Sequence, residues 1–287
     1  MVTCTLDTCA VVRLVVVALF CLVSLACAEE TVAADKGKTD APQAQPASEP
    51  AQSAAVANNP TDAASKAILD RQEKAGENYA TLRTDVEYEV VNRMTGETEK
   101  RTGWVAYQKE TKDQPTKFRV HFDTLRLENG PKTRNVVDYI FDGRFVTKDQ
   151  YKTKTRTCWQ VAAEGQRVEA LKIGKGPFPV PFGQKTSDVL AHLHAVTRAP
   201  EASDPAGTDY LKLTPLVGKE KDVNFLRLEM WIDRKTNLPA KIITRDENKN
   251  VKTVVFTNTK TAPNIDAKLF DVPKPAGFEL IVQRLGE

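Results

Sequence analysis

Few residues in this chain have side chains whose type and spacing suit metal binding, since its 287 residues include three His and five Cys. His192 and His194 stand two positions apart, and Asp188 precedes them, so together they could supply ligands to a transition metal. The segment is typical of a helix or of its end, where side chains at i and i+2 point in different directions. No third ligand with suitable spacing follows, and we predict that the protein binds no metal.

Nucleophilic and acid–base catalysis find equally little support. The sequence contains no G-x-S-x-G, no P-loop and no G-x-G-x-x-G. His121 alternates with Arg119 on the polar side of a predicted strand, which indicates a solvated side chain rather than a base. Cys158 could be a nucleophile or a redox thiol, but beside Trp159 in a strand it is typical of a small buried hydrophobe. We therefore predict a protein that is not an enzyme and needs no cofactor.

The composition excludes two further classes. The 41 basic and 38 acidic residues give a net charge of +3 without a polybasic block, so we predict no nucleic-acid partner. A mean hydropathy of −0.41 excludes a polytopic membrane protein.

The N-terminus indicates export. Arg13 precedes an apolar run over Leu14–Leu25, and the small residues Ala26-Cys27-Ala28 suit cleavage after Ala28. The run is shorter than the 18 or so residues that a membrane span requires. We predict a signal peptide over 1–28 and a periplasmic mature protein, with lipid anchoring through Cys27 as the alternative.

A low-complexity segment follows over 29–62. It is rich in Ala, Pro and Gln and has no aromatic residue, so it buries too little surface to offset its ordering entropy, and we predict a disordered linker. Four of the five cysteines lie in the leader, which leaves Cys158 alone in the mature chain and excludes an intramolecular disulfide. We predict one folded domain over 63–287.

The body begins with a helical pattern over 63–79, which Thr61 or Asp62 can cap, and then changes to period-two alternation. Asp142-Gly143 is a strong hairpin signal. A short helix is predicted over about Thr186–Leu193, after a Pro-rich apolar loop at 176–183. The predicted strands are Leu82–Val90, Trp104–Tyr107, Phe118–Phe122, Val136–Phe141, Arg144–Thr147, Thr155–Val161, Tyr210–Thr214, Phe225–Asp233, Ala240–Arg245, Val251–Thr257 and Phe278–Gln283.

These elements predict a mainly β (α+β) fold. An antiparallel sheet of ten or so strands is too long to stay flat, so we expect it to curl into an open half-barrel with one apolar and one charged face. The short helices are the only cover for the apolar face, and they are too few to fill its concavity. This pattern favours an apolar cavity under a helical lid, with a fully packed core as the alternative.

Several segments, in this order, resemble the LolA-like family of periplasmic lipoprotein carriers. They are the strand that begins Pro115-Thr116-Lys117-Phe118-Arg119, the Asp142-Gly143 hairpin, the strand Leu211-Lys212-Leu213-Thr214-Pro215, and the turn Phe270-Asp271-Val272-Pro273 before Gly277. The resemblance spans about 64–284. It implies a half-barrel covered by helices whose apolar cavity shields acyl chains, with an Arg on an early strand that holds the lid closed. Arg119 matches that position.

The predicted function is therefore a periplasmic carrier for acyl chains of lipoproteins or lipids, with partner proteins in the inner and outer membranes. The alternatives are a lipid-sensing regulatory module and a passive structural envelope protein. Trp104, Trp159 and Trp231 could line the ligand site, pack in the core or lie on the sheet surface. Leu228→Glu is predicted to abolish lipid retention more than it lowers stability. The predicted cavity residues are Val86, Tyr88, Val90, Phe118, Val120, Phe122, Leu226, Leu228, Met230 and Ile232.

Overall fold

The computed structural model describes residues 61–166 and 184–284, which form two α-helices, two 3-10 helices (Glu220–Asp222 and Ala267–Leu269) and one sheet of twelve strands. The α-helices are α1 (Ala63–Glu77) and α2 (Thr186–Leu190). The strands are β1 (Thr81–Val91), β2 (Thr98–Gln108), β3 (Lys117–Leu127), β4 (Thr133–Phe141), β5 (Phe145–Gln150), β6 (Thr155–Gln160), β7 (Leu193–Val196), β8 (Thr208–Pro215), β9 (Arg227–Asp233), β10 (Pro239–Arg245), β11 (Val251–Thr261) and β12 (Glu279–Gln283). The predictions for the leader, Cys27, nearly all of the linker and the loop at 176–183 lie outside the described residues.

The sheet is open and has the strand order β12-β6-β5-β4-β3-β2-β1-β11-β10-β9-β8-β7. Neighbouring strands are antiparallel except β12, which pairs in parallel with β6. Because β7 and β12 are separate edges, the sheet does not close into a barrel. The predicted open curved sheet with short helices is confirmed, with mixed rather than wholly antiparallel pairing.

Alternation gives the sheet two faces. In β1, Val86, Tyr88 and Val90 are buried while Asp85 and Glu87 on the other side are exposed. We call the side that carries Val86 the inner face and the opposite side the outer face. The ladder pairings extend the inner face across all strands from β6 to β7. Its buried side chains form one hydrophobic cluster with helix α1.

Helix α1 covers part of the inner face. Its N-cap is Asp62, whose carboxylate accepts a hydrogen bond from the Ser65 amide at 2.5 Å, as expected from the sequence at this position. Ile68 and Leu69 are 5% and 3% exposed, and they belong to the core cluster. The helix packs against α2, β7 and β8, so it covers the end of the sheet that lies far from β3–β6.

The hairpin between β4 and β5 turns at Asp142-Gly143, as predicted. The Asp142 carboxylate accepts hydrogen bonds from the amides of Arg144 at 2.8 Å and Phe145 at 2.7 Å. Gly143 has φ +104°, a conformation that side chains rarely adopt. The turn therefore fixes the register in which Phe141 pairs with Val146 and Tyr139 with Lys148.

Strands β2 and β3 approach each other very closely at Gly103. A Cβ atom there would lie 1.8 Å from the His121 carbonyl oxygen, and the register shifts between Thr102 and Gly103. A glycine inside a strand marks such an irregularity.

One segment differs in secondary structure from the sequence prediction. The helix predicted to reach Leu193 ends at Leu190, and Leu193–Val196 forms edge strand β7, which was not predicted.

After β11, residues 262–278 pass across the outer face to reach β12, and we call them the C-terminal strap. Within the strap Phe270 is 2% exposed, so the strap covers apolar surface of its own.

Candidate ligand cavity

Most of the predicted cavity residues lie in the packed core rather than around an open space. The buried members of the prediction belong to one cluster on the inner face: Val86, Tyr88, Val90, Phe118, Phe122, Leu228, Met230 and Ile232. Val120 is partly buried and packs against that cluster. Leu226 does not join them, because it precedes β9 and is 48% exposed. The expected alternation of β9 therefore begins at Leu228.

An open cavity of about 570 Å³ lies at one end of the inner face, where β1 ends and β2 begins. This volume lies within the range of small-molecule sites. Among the described lining residues, Val90 is the one that was predicted as a cavity residue. The lining residues are Val90, Asn92, Glu97, Thr98, Glu99, Arg101, Leu125, Leu127, Glu128, Asn135, Val136, Val137, Tyr139, Lys148, Gln150, Lys152 and Thr153.

The apolar lining is graded from the rim to the floor. Leu127 is 46% exposed at the rim, and Leu125 is half-buried. Val137 and Tyr139 are each 5% exposed and belong to the core cluster. The cavity is therefore an extension of the core that remains open to solvent at one end.

Aromatic rings connect the cavity floor to the core. The Tyr139 ring meets Phe122 edge-on with centroids 6.5 Å apart, and Phe122 lies 5.9 Å from Tyr88. Burial raises the pKa of the Tyr139 hydroxyl well above its ordinary value. That hydroxyl is buried and has no hydrogen-bond partner among residues 61–166 and 184–284.

An ion pair lies in the same cavity. The Arg101 guanidinium donates to the Glu99 carboxylate at 2.5 Å and to the Asn135 side-chain oxygen at 3.4 Å. Both charged side chains are largely buried, at 10% and 15% exposure. Burial raises the pKa of Glu99, and the neighbouring Arg101 opposes that shift.

Lys148 adds a second cation. The residue is 4% exposed, and its ammonium lies 5.8 Å from the centre of the Tyr139 ring. Burial lowers the pKa of Lys148 to about 8, with a smaller contribution of the same sign from Arg101 and an opposing one from Glu99. No ion pair or hydrogen bond joins Lys148 to any residue within the described ranges.

Arg119, for which the family resemblance implies a lid contact, has other partners among the described residues. Alternation in β3 turns Arg119 away from Phe118 and Val120, so it lies on the outer face. There it donates to the Asp138 carboxylate at 2.8 Å and to the carbonyl of Leu269 in the C-terminal strap at 3.2 Å. Among the described residues, Arg119 therefore binds the strap and not α1 or α2.

His121 is not the solvated side chain that the alternation predicted. Its ring nitrogens lie 2.8 Å from Asp138 and 2.9 Å from Asp123, and the ring stacks on Trp104 with centroids 5.0 Å apart. The hydrogen bond to Asp138 raises the pKa of His121 despite partial burial. Burial alone would raise the pKa of Asp138, but hydrogen bonds from His121 and Arg119 lower it.

A second outer-face pair holds the strap further along. Arg156 binds Asp149 through two hydrogen bonds of 2.7 and 2.6 Å, and Asp149 is fully buried. The same guanidinium donates to the carbonyls of Val272 at 3.0 Å and Pro273 at 3.3 Å. Both buried carboxylates under the strap are thus paired with arginines that also bind its backbone.

The other candidate residues are spread over the fold. His192 pairs with Asp222 at 3.0 Å, His194 is buried in β7, and Asp188 lies on α2. Within the described ranges, no group of three or more His, Cys, Asp or Glu is arranged to hold a metal ion. Cys158 is half-buried and accepts a long hydrogen bond from Thr147.

The three tryptophans have different environments. Trp159 is 2% exposed and belongs to the core cluster. Trp104 lies on the outer face beneath Arg83, whose guanidinium is 4.3 Å from the ring centre. Trp231 donates to Asp204 at 2.6 Å. None of the three lines the cavity.

Sequence reasoning missed Arg101 and Lys148. The start of β2, Thr98–Gly103, is polar throughout, so it carries no alternating signal. Lys148 stands two residues after the buried Val146, and the predicted Asp142-Gly143 hairpin already fixed the pairing of that strand. That spacing was the available signal for an inward-facing lysine.

Comparison with known proteins gives matches at the level of structure. No family model and no curated protein matches the chain. A conserved uncharacterised protein from Thermus thermophilus is 15% identical with a TM-score of 0.45, over 77% of this chain and 99% of that one. A LolA superfamily protein from Nitrosomonas europaea is 12% identical with a TM-score of 0.31, over 72% and 96%.

The complex of MucA and MucB from Pseudomonas aeruginosa also matches, at 19% identity with a TM-score of 0.39, over 74% of this chain and 62% of that one. The LolA superfamily structure is named for the same family that the sequence motifs resemble. Because each of these TM-scores is below 0.5, a ligand of this chain has to be inferred from its own cavity. No helix within the described residues is long and apolar enough to span a membrane.

Proposed function

We propose that this protein is an exported, non-enzymatic carrier that binds an acyl chain of a lipid or lipoprotein in the cavity at the end of the inner face. The observation that supports this is the continuity of the cavity with the hydrophobic core through Val90, Val137 and Tyr139. Each buried methylene of a chain contributes about 0.8 kcal/mol, so several of them give useful affinity without any reacting group.

A carrier must also give up its ligand, and the shape of the cavity suits that requirement. Its rim is open and includes the half-exposed Leu127, so a chain can enter or leave without unfolding the sheet. Delivery would then depend on donor and acceptor proteins in the inner and outer membranes, which are part of the proposal.

The test is ligand binding by the full mature chain, purified without detergent. Native mass spectrometry would detect a co-purified acylated species, and displacement of a fluorescent fatty-acid probe would measure affinity. Leu125→Glu places a charge in the apolar wall and is expected to weaken probe binding by about 10- to 100-fold, since burial of a Leu side chain is worth about 1.5–3 kcal/mol.

The matched control is Val217→Glu, because Val217 is 61% exposed and does not line the cavity. We expect this variant to bind the probe as the wild type does. Equal binding by both variants would move the site away from the cavity. A folded wild type that binds no acyl probe would refute the carrier and would leave a structural envelope role.

A further inference from the structure

Lys148, a buried cation on the cavity floor, indicates which kind of ligand the cavity binds. This inference rests on the proposed acyl-chain binding. Lys148 is 4% exposed, and its neighbours across the ladder are Tyr139 and Thr157. Burial of a charged group is unfavourable unless a counterion or hydrogen-bond acceptor compensates for it. Lys148 lines the open cavity and forms no ion pair or hydrogen bond with another described residue.

Three other largely buried cations of the sheet are paired with carboxylates of the described residues. Arg101 binds Glu99 on the inner face, and Arg119 and Arg156 bind aspartates on the outer face. Glu99 also attracts Lys148 at longer range, but its carboxylate is already engaged by Arg101. The three charges together leave one positive charge beside Val137 and Tyr139, while Glu97, Glu128 and Lys152 line other parts of the same cavity.

A second polar group on the floor lacks a partner as well. The Tyr139 hydroxyl is buried, has no hydrogen-bond partner among the described residues, and belongs to the residue that pairs with Lys148. A phenol and an ammonium can both donate to one oxyanion. Burial lowers the pKa of Lys148 to about 8, so the ammonium remains mostly protonated at neutral pH.

We propose that Lys148, with Tyr139 and Arg101, forms an anion subsite on the cavity floor, and that the ligand is a single-chain amphiphile whose carboxylate or phosphate group enters first. The chain then follows the apolar wall from Val137 past Leu125 to the half-exposed Leu127 at the rim. This orientation places the charged group where the protein has unpaired donors and the chain where it has aliphatic side chains.

The test compares probes with the same chain and different head groups: palmitate, palmitoyl lysophosphatidate and the neutral methyl palmitate. For the wild-type full chain we expect at least one anionic probe to bind about tenfold or more tightly than the neutral ester. Preference for palmitate or for lysophosphatidate identifies the carboxylate or the phosphate as the recognised group. Equal affinity for all three overturns the anion subsite.

Two lysine variants test whether Lys148 causes the preference for anionic probes. Lys148→Met keeps the length of the side chain without its charge, and it should bind the anionic probes no more tightly than the ester while its affinity for the ester stays unchanged. The matched control is Lys241→Met, because Lys241 also lies over an aromatic ring, 4.8 Å from the centre of Trp231, but outside the cavity. A Lys148→Met protein that retains the preference overturns the assignment.

If Lys148→Met does not fold, the anion subsite can be tested in the wild-type protein. Lysines labelled by reductive ¹³C-methylation give separate NMR signals, and addition of palmitate should shift a signal that titrates with a pKa of about 8, the value to which burial lowers Lys148. If palmitate binds without shifting that signal, the subsite is wrong. If neither ester nor anion binds at all, the proposed function fails rather than the subsite.

Discussion

Arg156 provides the sharpest test of how the C-terminal strap is held. Its guanidinium makes two short hydrogen bonds to Asp149, whose side chain is fully buried, and two more to the carbonyls of Val272 and Pro273. Replacement by Met removes all four bonds and leaves the Asp149 carboxylate buried without a counterion. The strap simultaneously loses its attachment to β6.

The expected magnitude follows from the burial of the pair. Removal of one partner of a buried ion pair costs about 3–5 kcal/mol, because the remaining charge stays desolvated. The double variant Arg156→Met/Asp149→Leu removes that charge and should recover most of the loss. It still lacks the two hydrogen bonds to the strap, each worth about 0.5–1.5 kcal/mol. We therefore expect the double variant to be about 2–3 kcal/mol more stable than Arg156→Met.

Urea unfolding followed by tryptophan fluorescence measures the free energy of unfolding of the wild type, both single variants and the double variant. Hydrogen exchange of the amides in the strap and in β12 reports its local opening, which should become faster in Arg156→Met than exchange in β1. If Arg156→Met costs less than about 1 kcal/mol, or if the double variant is no more stable than the single one, the pair does not hold the strap.

Three further predictions concern the sheet. The hydrogen bond to Asp138 raises the folded-state pKa of His121. The stability that His121 contributes is therefore fully present below about pH 6.5 and is lost as the pH rises through the folded-state pKa. Urea titrations at several pH values should show this loss in the wild type and not in His121→Gln. Gly103→Ala, with its Cβ against the His121 carbonyl, should lower the thermal midpoint by several degrees in calorimetry, and an unchanged midpoint would contradict the close approach. Leu228→Glu, at a fully buried site, should prevent folding as judged by circular dichroism, whereas Leu226→Glu should fold normally.

The last of these revises the sequence-based expectation that Leu228→Glu would chiefly affect lipid retention. Leu228 is 0% exposed and packs in the core cluster, so a carboxylate there removes stability before it affects any ligand. Alternation showed which side of β9 is apolar. It could not show whether that side faces a filled core or a cavity, because both require the same residue types.

Much of the sheet could be predicted because one face is buried along most strands. In β3 the buried Phe118 and Phe122 alternate with polar residues, and the Asp142-Gly143 turn fixes the next hairpin. Strand β7 was missed because all of Leu193–Ala195 is buried, which hides the period of two. The parallel pairing of β12 carries no local signal either, since it depends on the path of the strap.

The lid role of Arg119 stays a prediction, and the alternation of its strand argues against it. The residue was assigned from a motif, yet it alternates with Phe118 and Val120, which places it on the face opposite the cavity. The structure assigns it instead to Asp138 and the strap. Strand periodicity was therefore a better guide to its side of the sheet than motif resemblance.

Buried charged side chains have different partners on the two faces of the sheet. This difference distinguishes side chains that stabilise the fold from those that could bind a ligand. On the outer face, Arg119 and Arg156 lie over buried aspartates and donate to strap carbonyls, so their charges are compensated by the fold itself. On the inner face, Lys148 is as deeply buried but has no carboxylate within ion-pair distance in the described ranges. A fold selected for stability alone would replace such a lysine with an apolar residue. Its retention beside an open cavity is the expected pattern when the missing anion belongs to a ligand.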